Sequence, residues 1–262
     1  MPSRSEASSA PPALAARDLD VGYGSFVVQH TLNFEVERGK IFVIMGGSGC
    51  GKSTVLRAMI GLLPPLRGDV AFGEASLWSA DEAERERLTR RFGVLYQSGA
   101  LWSSMTLAEN VGLPLEEFTD LTAPQIGEVA ALKLALVGLA GFEDFYPAQI
   151  SGGMQKRAGL ARAMALDPDI LFLDEPSAGL DPISSRLLDD LILELRDSLG
   201  CTVVVVTHEL ASIFAIGDDS VFLDADTRTM IARGNPKTLL AESTDPKVRT
   251  FLTRGHPEAA PR

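Results

Sequence analysis

The chain has 262 residues, which is enough for one large domain or two small ones with a sizeable core. Apolar residues make up 45% and charged residues 23%, which excludes a disordered or fibrous chain. Lysine and arginine total 24 against 35 acidic residues, a net charge of −11, so the chain is a poor general binder of nucleic acid. Local basic patches remain compatible with this composition.

Only two cysteines are present, Cys50 and Cys201, which are too few for a disulfide framework or a structural zinc site and fit a reducing compartment. The longest apolar stretches have the length of strands, far below the ~20 residues of a membrane span. Residues 1–13 lack the apolar core of a signal peptide and predict a disordered leader, and residues 255–262 predict a loose tail. Work at a membrane would therefore proceed from the cytoplasmic side, through a partner.

The first third of the chain alternates between strand and helix signals. Residues 14–40 carry short alternating segments and turn glycines, which predict an antiparallel β element. The apolar run Ile41–Met45 predicts a strand buried on both faces, and a helix is predicted over 53–63, before two prolines. A charged helix over 81–91 and a second buried strand, Phe92–Tyr96, follow.

The middle of the chain, from about 99 to 149, differs from its flanks because it is helical in pattern, most clearly over 128–138. Three prolines, at 114, 124 and 147, are expected to break it, and we interpret it as an inserted helical subdomain. The rest alternates again, with a helix predicted over 151–166, a strand over 170–173, a helix over 183–199 and a strand over 202–206. Strands that alternate with helices imply an α/β fold with a mostly parallel sheet covered on both faces.

Residues 46–54, GGSGCGKST, match the phosphate-loop pattern G-x-x-x-x-G-K-[ST]. Glycine lets the backbone present its N–H groups to phosphate oxygens, and the following helix directs its positive end at the same anion. We expect Lys52 to bridge the β- and γ-phosphates and Ser53 to bind Mg²⁺. The alternative is a glycine-rich turn that carries a lysine by chance, but a strand leads in and a helix leads out. The predicted ATP-binding residues are Gly46, Gly47, Ser48, Gly49, Cys50, Gly51, Lys52, Ser53 and Thr54.

A second apolar run, from residue 170 to 173, ends in Asp174 and Glu175. Ligands of open α/β sheets bind at the carboxyl ends of the strands, where these two acids would lie. We expect Asp174 to hold Mg²⁺, through water, and Glu175 to orient and deprotonate the attacking water. Alone, the pair could equally be solvated acids at an ordinary strand end; together with the phosphate loop, the pair predicts an ATPase.

Residues 150–155, ISGGMQ, narrow the choice among phosphate-loop proteins. They resemble the signature of ATP-binding cassette (ABC) ATPases and stand 20 residues before the acid-ended strand, with a helix between. The resemblance extends from about Leu14 to Glu242. It implies a P-loop NTPase with a RecA-like core, an antiparallel β subdomain and an inserted helical subdomain. The implied boundaries are 14–254 for the whole ABC ATPase domain, 14–98 and 151–242 for core and β flank, and about 99–150 for the helical subdomain.

The resemblance also implies that each ATP is bound between two copies of the chain. Ser151, Gly152 and Gly153 open a helix and would cap the γ-phosphate held by the other copy in a head-to-tail dimer. A helix N-cap with a glycine pair is the alternative. Residues 177–181 resemble the D-loop of the family.

Three further residues take roles from the same resemblance. Gln97 follows a predicted strand where the Q-loop of the family lies, and would sense Mg²⁺ or the attacking water. His208 lies where the switch histidine contacts the γ-phosphate. Tyr23 matches the aromatic residue that stacks on adenine, although Phe26 is close by and a core aromatic is the alternative.

Residues 96–111, YQSGALWSSMTLAENV, resemble the ATPases of the Mla and Mce lipid-transport systems, as do Met154 and residues 245–252. In those systems, two copies drive two permease subunits that pass phospholipid or another hydrophobic molecule between the inner membrane and an Mce-type carrier. The resemblance implies a peripheral protein at the cytoplasmic face of the inner membrane. Trp102 and Met105 would be exposed at the groove for a permease helix, or would belong to the core. A small STAS-domain partner is left open.

Other functions within and beyond this branch remain as alternatives. One is a soluble ABC ATPase without a permease, for example of the iron–sulfur assembly type, and another is an importer or exporter of a different cargo. An ABC-type clamp in DNA repair or translation would usually carry two cassettes, a coiled coil or zinc cysteines. For Cys50, the position beside a helix N-terminus predicts a lowered thiol pKa and inactivation by thiol reagents that ATP prevents. Cys201 is expected to be a small core residue.

Overall fold

The computed structural model of the protein describes residues 11–255. Most of the predicted leader, residues 1–10, and residues 256–262 of the predicted tail lie outside the described residues. Within the described part, no helix combines the length and the apolar character needed to cross a membrane.

The described chain folds into strands and helices in the following order. The strands are β1 (Leu14–Tyr23), β2 (Phe26–Val36), β3 (Ile41–Gly46), β4 (Arg67–Phe72), β5 (Ala75–Ser76), β6 (Phe92–Leu95), β7 (Ile170–Asp174), β8 (Thr202–Val206), β9 (Asp219–Asp224) and β10 (Thr229–Arg233). The helices are α1 (Lys52–Met59), α2 (Glu82–Thr89), α3 (Leu107–Phe118), α4 (Ala123–Leu136), α5 (Gly152–Ala163), α6 (Pro182–Leu199), α7 (Leu210–Ile216), α8 (Pro236–Glu242) and α9 (Pro246–Leu252). A short 3₁₀ helix covers Pro147–Gln149.

The predicted antiparallel element is confirmed and is larger than expected. β1 pairs with β2 on one side and with β4 on the other, giving a four-stranded antiparallel sheet in the order β2-β1-β4-β5. Side chains of β2 alternate between buried and exposed, for example buried Leu32 and Phe34 beside exposed Asn33 and Glu35, because one face of the sheet covers the core.

The second sheet has six strands in the order β10-β9-β3-β8-β7-β6, and every pair except β9–β10 is parallel. All six residues of β3 and all five of β8 are buried, as predicted for central strands covered on both faces. Because these strands are parallel, the segments that follow β3, β8, β7 and β6 emerge at the same edge of the sheet.

Two hydrophobic clusters enclose this sheet. One fills the space between the two sheets and around α1, where the rings of Phe34 and Phe42 stack with their centroids 5.2 Å apart. The other lies on the opposite face, under α3, α4, α5 and α6, and joins the helical segment to the sheet. A smaller cluster packs α7 and α9 against β3 and β9.

Two details of the sequence prediction are wrong. The helix after the phosphate loop ends at Met59 instead of continuing to residue 63, because Gly61 takes a left-handed φ of 82°. Pro114 does not break the helical segment but lies inside α3, whereas Pro124 lies in the first turn of α4, where its missing N–H costs nothing.

Candidate functional site

The phosphate loop connects the end of β3 to the start of α1, as its sequence predicts. Lys52 Nζ donates to the carbonyl oxygens of Gly46 and Gly47, at 2.9 and 3.0 Å, which holds the ammonium over the loop. Gly51 adopts a φ of 100°, and a Cβ there would lie 2.5 Å from Cγ1 of Val28. Only glycine therefore allows this loop to curl against β2 and keep its backbone open to an anion.

Asp174 ends β7 and Glu175 follows it, at the same sheet edge as the phosphate loop after β3, with β8 between the two strands. Burial raises the pKa of Asp174, and the charge of Glu175 raises it further, while Arg57, Lys52 and a hydrogen bond from Ser53 oppose the rise. Glu175 is buried and has a φ of 45°, a strained value for a residue with a Cβ. Strain of this kind persists where the surroundings fix a side chain in one position.

Both carboxylate oxygens of Glu175 are anchored from the segment after β8. The Thr207 hydroxyl donates to Oε2 at 3.1 Å, and Nδ1 of His208 lies 2.7 Å from Oε1. The backbone N–H of Glu175 also donates to the carbonyl of Val206 at 2.8 Å. We call Lys52, Asp174, Glu175, Thr207 and His208 the catalytic cluster.

Gln97 follows β6 and reaches the same edge of the sheet. Its backbone carbonyl accepts a hydrogen bond from Lys156 of α5, whose Nζ also lies 3.4 Å from the carbonyl oxygen of Glu175. This contact needs α5 close to the Gln97 loop, and Gly159 permits it, since a Cβ there would come within 3.0 Å of the Gly99 carbonyl oxygen.

An open cleft of about 590 Å³ joins most of the predicted residues. Its lining comprises Tyr23, Phe26, Val28, Ser48, Gly49, Gly51, Lys52, Ser53, Thr54, Gln97, Glu175 and His208. The predicted phosphate, base and switch residues thus share one space, at the size expected of a small-molecule site. Ser151, Gly152 and Gly153, all within the described part of the chain, are not among the lining residues.

Tyr23 and Phe26 flank the tight turn between β1 and β2, directly across from each other. Both rings are exposed, so neither is the core aromatic that the sequence left open. The Tyr23 hydroxyl accepts from Arg57 Nη1 at 3.0 Å, and a hydrogen bond with Thr54 lowers the pKa of Tyr23. Phe26 instead has the guanidinium of Arg228 over its ring at 4.9 Å, so that one of its faces is already covered.

Ser151 caps the N-terminus of α5, accepting from the N–H of Met154 at 3.2 Å. Ser151 and Gly152 are exposed, and Gly153 is half-buried beside Ser184 of α6. We call these three residues the signature end. Because Ser151 and Gly152 are exposed, the N-terminus of α5, which carries the positive end of the helix dipole, is accessible from outside the chain.

The residues present fit a Mg²⁺ ion. Asp174 Oδ1 is buried and has no hydrogen-bond partner among residues 11–255, while Ser53 lies beside the same carboxyl group. Within the same residues, no three acidic, histidine or cysteine side chains gather into a metal cage. That agrees with Mg²⁺, which is commonly held by one or two carboxylates together with substrate phosphates.

The predicted lowering of the Cys50 thiol pKa is wrong. Cys50 is only 2% exposed and packs into the cluster between the sheets, and this burial raises the pKa of its thiol despite the nearby Lys52. Cys50 lies in the core between the sheets and does not line the cleft, so desolvation outweighs its proximity to a helix N-terminus. Cys201 is 7% exposed within the second core cluster, as predicted.

Sequence reasoning missed two supporting residues of the site. Gln29 is fully buried, and its Nε2 donates to the carbonyls of Cys50 at 2.7 Å and Asp224 at 3.0 Å, which ties the phosphate loop to the turn after β9. Lys156 is 6% exposed, and burial lowers its pKa. A signal for it was available, because a lysine four residues before buried Leu160 lies on the packed face of α5.

Comparison with known proteins agrees with this geometry. The model of the family described as ABC transporter matches residues 29–178. The chain is 40% identical to the intermembrane phospholipid transport system ATP-binding protein MlaF of Escherichia coli K12, over 90% of this chain and 87% of that protein. It is 38% identical to MlaF of Haemophilus influenzae, over 91% and 89%. It is 37% identical to a probable ribonucleotide transport ATP-binding protein, mkl, of Mycobacterium leprae, over 92% and 68%.

Solved structures give the same result. CbiO1 of Clostridium perfringens, part of the ABC transporter complex cbiONQ, superposes with a TM-score of 0.81 at 26% identity, over 88% of this chain and 92% of that one. A dimeric post-hydrolysis state of the ATP-binding cassette MJ0796, bound to ADP and Pi, gives a TM-score of 0.76 at 27% identity, over 85% and 98%. The predicted phosphate-loop fold, with its α/β core and antiparallel flank, is confirmed.

Proposed function

Because the chain belongs to the ABC transporter family and is an ATP-binding, ATP-hydrolysing subunit of such a transporter, we propose that it energises the movement of phospholipid or another hydrophobic molecule. The movement would run between the inner membrane and an Mce-type carrier. The observation that carries this proposal is the 40% identity to MlaF over nearly the full length of both chains. The mkl relative is named for a different cargo, which makes cargo the first property to test.

The reaction centre is proposed to be completed by a second copy of the chain. The cleft is lined by Lys52, Glu175 and His208 of the catalytic cluster, by Gln97 and by most of the phosphate loop, while Ser151 and Gly152 of the signature end lie exposed outside it. A helix N-terminus with free N–H groups binds anions, so the signature end of one copy suits the γ-phosphate held by the other. Dimerisation of the structurally similar MJ0796 cassette with ADP and Pi supports this arrangement.

Hydrolysis would then depend on positioning and charge neutralisation. Lys52 would exchange its contacts with the Gly46 and Gly47 carbonyls for contacts with the β- and γ-phosphates. Glu175, fixed through both oxygens, would orient a water and accept its proton as the water oxygen bonds to phosphorus and ADP leaves. His208 would hold Glu175 and lie beside the γ-phosphate.

Asp174, Ser53 and Gln97 are the proposed Mg²⁺ ligands, Asp174 through water. The buried, unpartnered Oδ1 of Asp174 among residues 11–255 supports this set. When bound, Mg²⁺ would neutralise charge on the β- and γ-phosphate oxygens. On the other side of the cleft, Tyr23 is proposed as the adenine platform, since one face of Phe26 is covered by Arg228.

A permease is proposed to dock on the helical segment, about 99–150, which we treat as a subdomain inserted between 14–98 and 151–242 of a domain spanning 14–254. Trp102 is 58% exposed, and its backbone is held by two hydrogen bonds to the fully buried side chain of Asn110. A large exposed aromatic on a fixed backbone is typical of an interface anchor. Met105 is half-buried, and its backbone N–H donates to the Trp102 carbonyl at 3.2 Å.

This docking would place the protein at the cytoplasmic face of the inner membrane, attached through the permease. A STAS-domain protein and an Mce-type carrier would be further partners. No nucleic-acid partner is proposed, because the chain is acidic.

The decisive experiment is affinity purification of the full-length chain from detergent-solubilised membranes, followed by mass spectrometry of bound protein and lipid. We expect a multi-span subunit to co-purify, with phospholipid enriched over a control purification from cells that lack the tagged chain. Recovery of the chain with soluble proteins alone would favour a permease-free ATPase. A complex enriched in ribonucleotides other than ATP and ADP, and not in lipid, would favour the cargo named for mkl.

A further inference from the structure

Three buried polar side chains meet outside the catalytic cluster, between α6, α7 and the segment after Glu175. They are Asp189 of α6, Ser212 of α7 and Ser177, which are 4%, 1% and 4% exposed. The Ser212 hydroxyl donates to Asp189 Oδ2 at 2.8 Å, and its oxygen lies 3.4 Å from the hydroxyl oxygen of Ser177.

An ionised Asp189 carboxylate determines which group donates and which accepts in this series of hydrogen bonds. An ionised carboxylate only accepts, so Ser212 must use its proton on Asp189 and is left to accept from Ser177. The Ser177 hydroxyl is then the donor in its contact with Ser212. A protonated Asp189 could donate to Ser212 instead, and the direction would no longer be fixed.

Two members of this hydrogen-bonded series, Ser177 and Ser212, lie a few residues after Glu175 and His208, the pair proposed to position the attacking water. Ser177 follows Glu175 by two residues, in a turn closed by hydrogen bonds from Ala178 N to the Glu175 carbonyl and from Leu180 N to the Ser177 carbonyl, both 3.1 Å. Ser212 is on the helix that begins directly after Glu209, one residue past His208. A shift of Ser177 relative to Ser212 would therefore change how Glu175 meets His208.

Packing of the helices does not need this acid. α6 and α7 already contribute Leu188, Ile192 and Ile216 to the same hydrophobic cluster. The pKa of Asp189 is raised to about 6, mainly by burial; the hydrogen bond from Ser212 opposes this rise and the charge of Asp190 adds to it. Oδ1 of Asp189 has no hydrogen-bond partner within residues 11–255. A buried acid with an unmet oxygen costs stability, which points to a functional use.

We propose that Asp189 is a positioning residue that, through the Ser212 hydroxyl, fixes Ser177 and thereby sets the relative placement of Glu175 and His208. This inference rests on the proposed roles of Glu175 and His208. The hydrogen bond between Asp189 and Ser212 joins α6 to α7, two helices that the phosphate loop and the signature end do not join.

The first test compares steady-state ATPase kinetics of the full-length chain carrying Ser212→Ala or Asp189→Asn, with Asp190→Asn as the matched exposed control. At pH 8 we expect kcat to fall roughly three- to thirtyfold in the first two, as for coupled hydrogen-bonded residues. KM for ATP should change less than about twofold, because Asp189, Ser212 and Ser177 do not line the cleft that contains the predicted ATP-binding residues. Wild-type kcat in Ser212→Ala would overturn the proposal.

The second test uses pH, because a proton neutralises Asp189 as the asparagine does. The groups that face this carboxyl are the Ser212 hydroxyl and the charge of Asp190. The ratio of wild-type to Asp189→Asn kcat should be largest at pH 8 and should fall toward one below about pH 6. A ratio that stays constant across this range would assign Asp189 a purely structural role and overturn the proposal.

Ser177→Ala keeps the test valid if an Asp189 variant fails to fold. Combined with Ser212→Ala, it should reduce kcat no more than the stronger single variant, since both break one chain of hydrogen bonds. Multiplying effects would contradict the proposed connection. Glu175→Gln serves as the reference: if it hydrolyses ATP normally, the proposed function fails, whereas a slow Glu175→Gln with unaffected Ser212→Ala removes only this inference.

Discussion

The catalytic cluster and the signature end, which we propose belong to one reaction centre, differ in burial and in hydrogen bonding. In the cluster, Glu175 is buried and both of its oxygens are hydrogen-bonded within the chain. At the signature end, Ser151 and Gly152 are exposed, and Ser151 uses its side chain only to cap its own helix. A chain that fixes its base and leaves its anion-binding helix end free is suited to complete its site with a second copy.

Lys156 connects the two regions. It belongs to α5, about one turn after the signature end, yet its ammonium contacts the backbone carbonyls of Gln97 and Glu175. A movement of the signature helix would therefore reach the base directly, without passing through the nucleotide.

The largest expected effect comes from removing the base. Glu175→Gln should lower kcat by roughly 10²–10⁴ while the variant still binds ATP, because the amide keeps the shape but cannot take the proton of water. Turnover and binding of a fluorescent ATP analogue would be measured together. Glu209→Gln, which removes a neighbouring acid 3.8 Å from His208, is the control and should retain near-normal turnover. Near-normal turnover in Glu175→Gln would assign the base elsewhere.

The signature end is tested by two substitutions that both preserve the helix cap. Ser151→Asn should keep activity within about tenfold of wild type, whereas Ser151→Asp should lose roughly 10²-fold, because it brings a carboxylate against the γ-phosphate of the other copy. Thermal melting should be similar for both. Equal activity of the two variants would indicate that no phosphate approaches Ser151.

Mixing two inactive variants tests whether the two copies complete each other's sites. Ser151→Asp and Glu175→Gln are each expected to be nearly inactive, but a heterodimer of the two has one site with an intact base and an intact signature end. Mixing equal amounts should restore up to about a quarter of wild-type turnover. A mixture no more active than its components would contradict composite sites that work independently.

Removing the Lys156 contacts between the two regions should have a smaller effect. Lys156→Met should reduce kcat roughly tenfold, because the charge-assisted hydrogen bonds to the Gln97 and Glu175 carbonyls are lost. Lys156→Arg keeps the charge and should recover most of the rate. ATPase assays and circular dichroism on both variants would check this. Equal losses in the two would indicate a packing defect rather than a loss of the contact.

The smallest effect is expected at Cys50. Burial raises the pKa of its thiol, so iodoacetamide should leave Cys50 unmodified at pH 8 over a period that fully labels the unfolded chain. Cys50→Ala should retain ATPase activity, since the thiol does not face the cleft. Peptide mass spectrometry would measure the labelling. Rapid labelling that ATP prevents would instead place a reactive thiolate at the phosphates.

The elements that form the site were largely predictable because their signals are local. A loop that needs glycine at Gly51, acids that end a buried strand at Asp174 and a capped helix at Ser151 are all defined by a few adjacent residues. Cys50 was mispredicted because a sequence shows its distance from the helix N-terminus but not the direction of its sulfur. The supporting roles of Gln29 and Lys156 were not predicted because their hydrogen-bond partners lie far away in the sequence, and only the folded structure brings them together.

The most direct measurement is a structure of the Glu175→Gln variant with Mg²⁺ and ATP, in which hydrolysis is slow enough to retain the triphosphate. We predict two nucleotides at the interface of two chains, each γ-phosphate within about 3.5 Å of Ser151 or the Gly153 N–H of the other copy. A nucleotide enclosed by a single chain, with residues 151–153 of the other copy remote from it, would contradict the composite site.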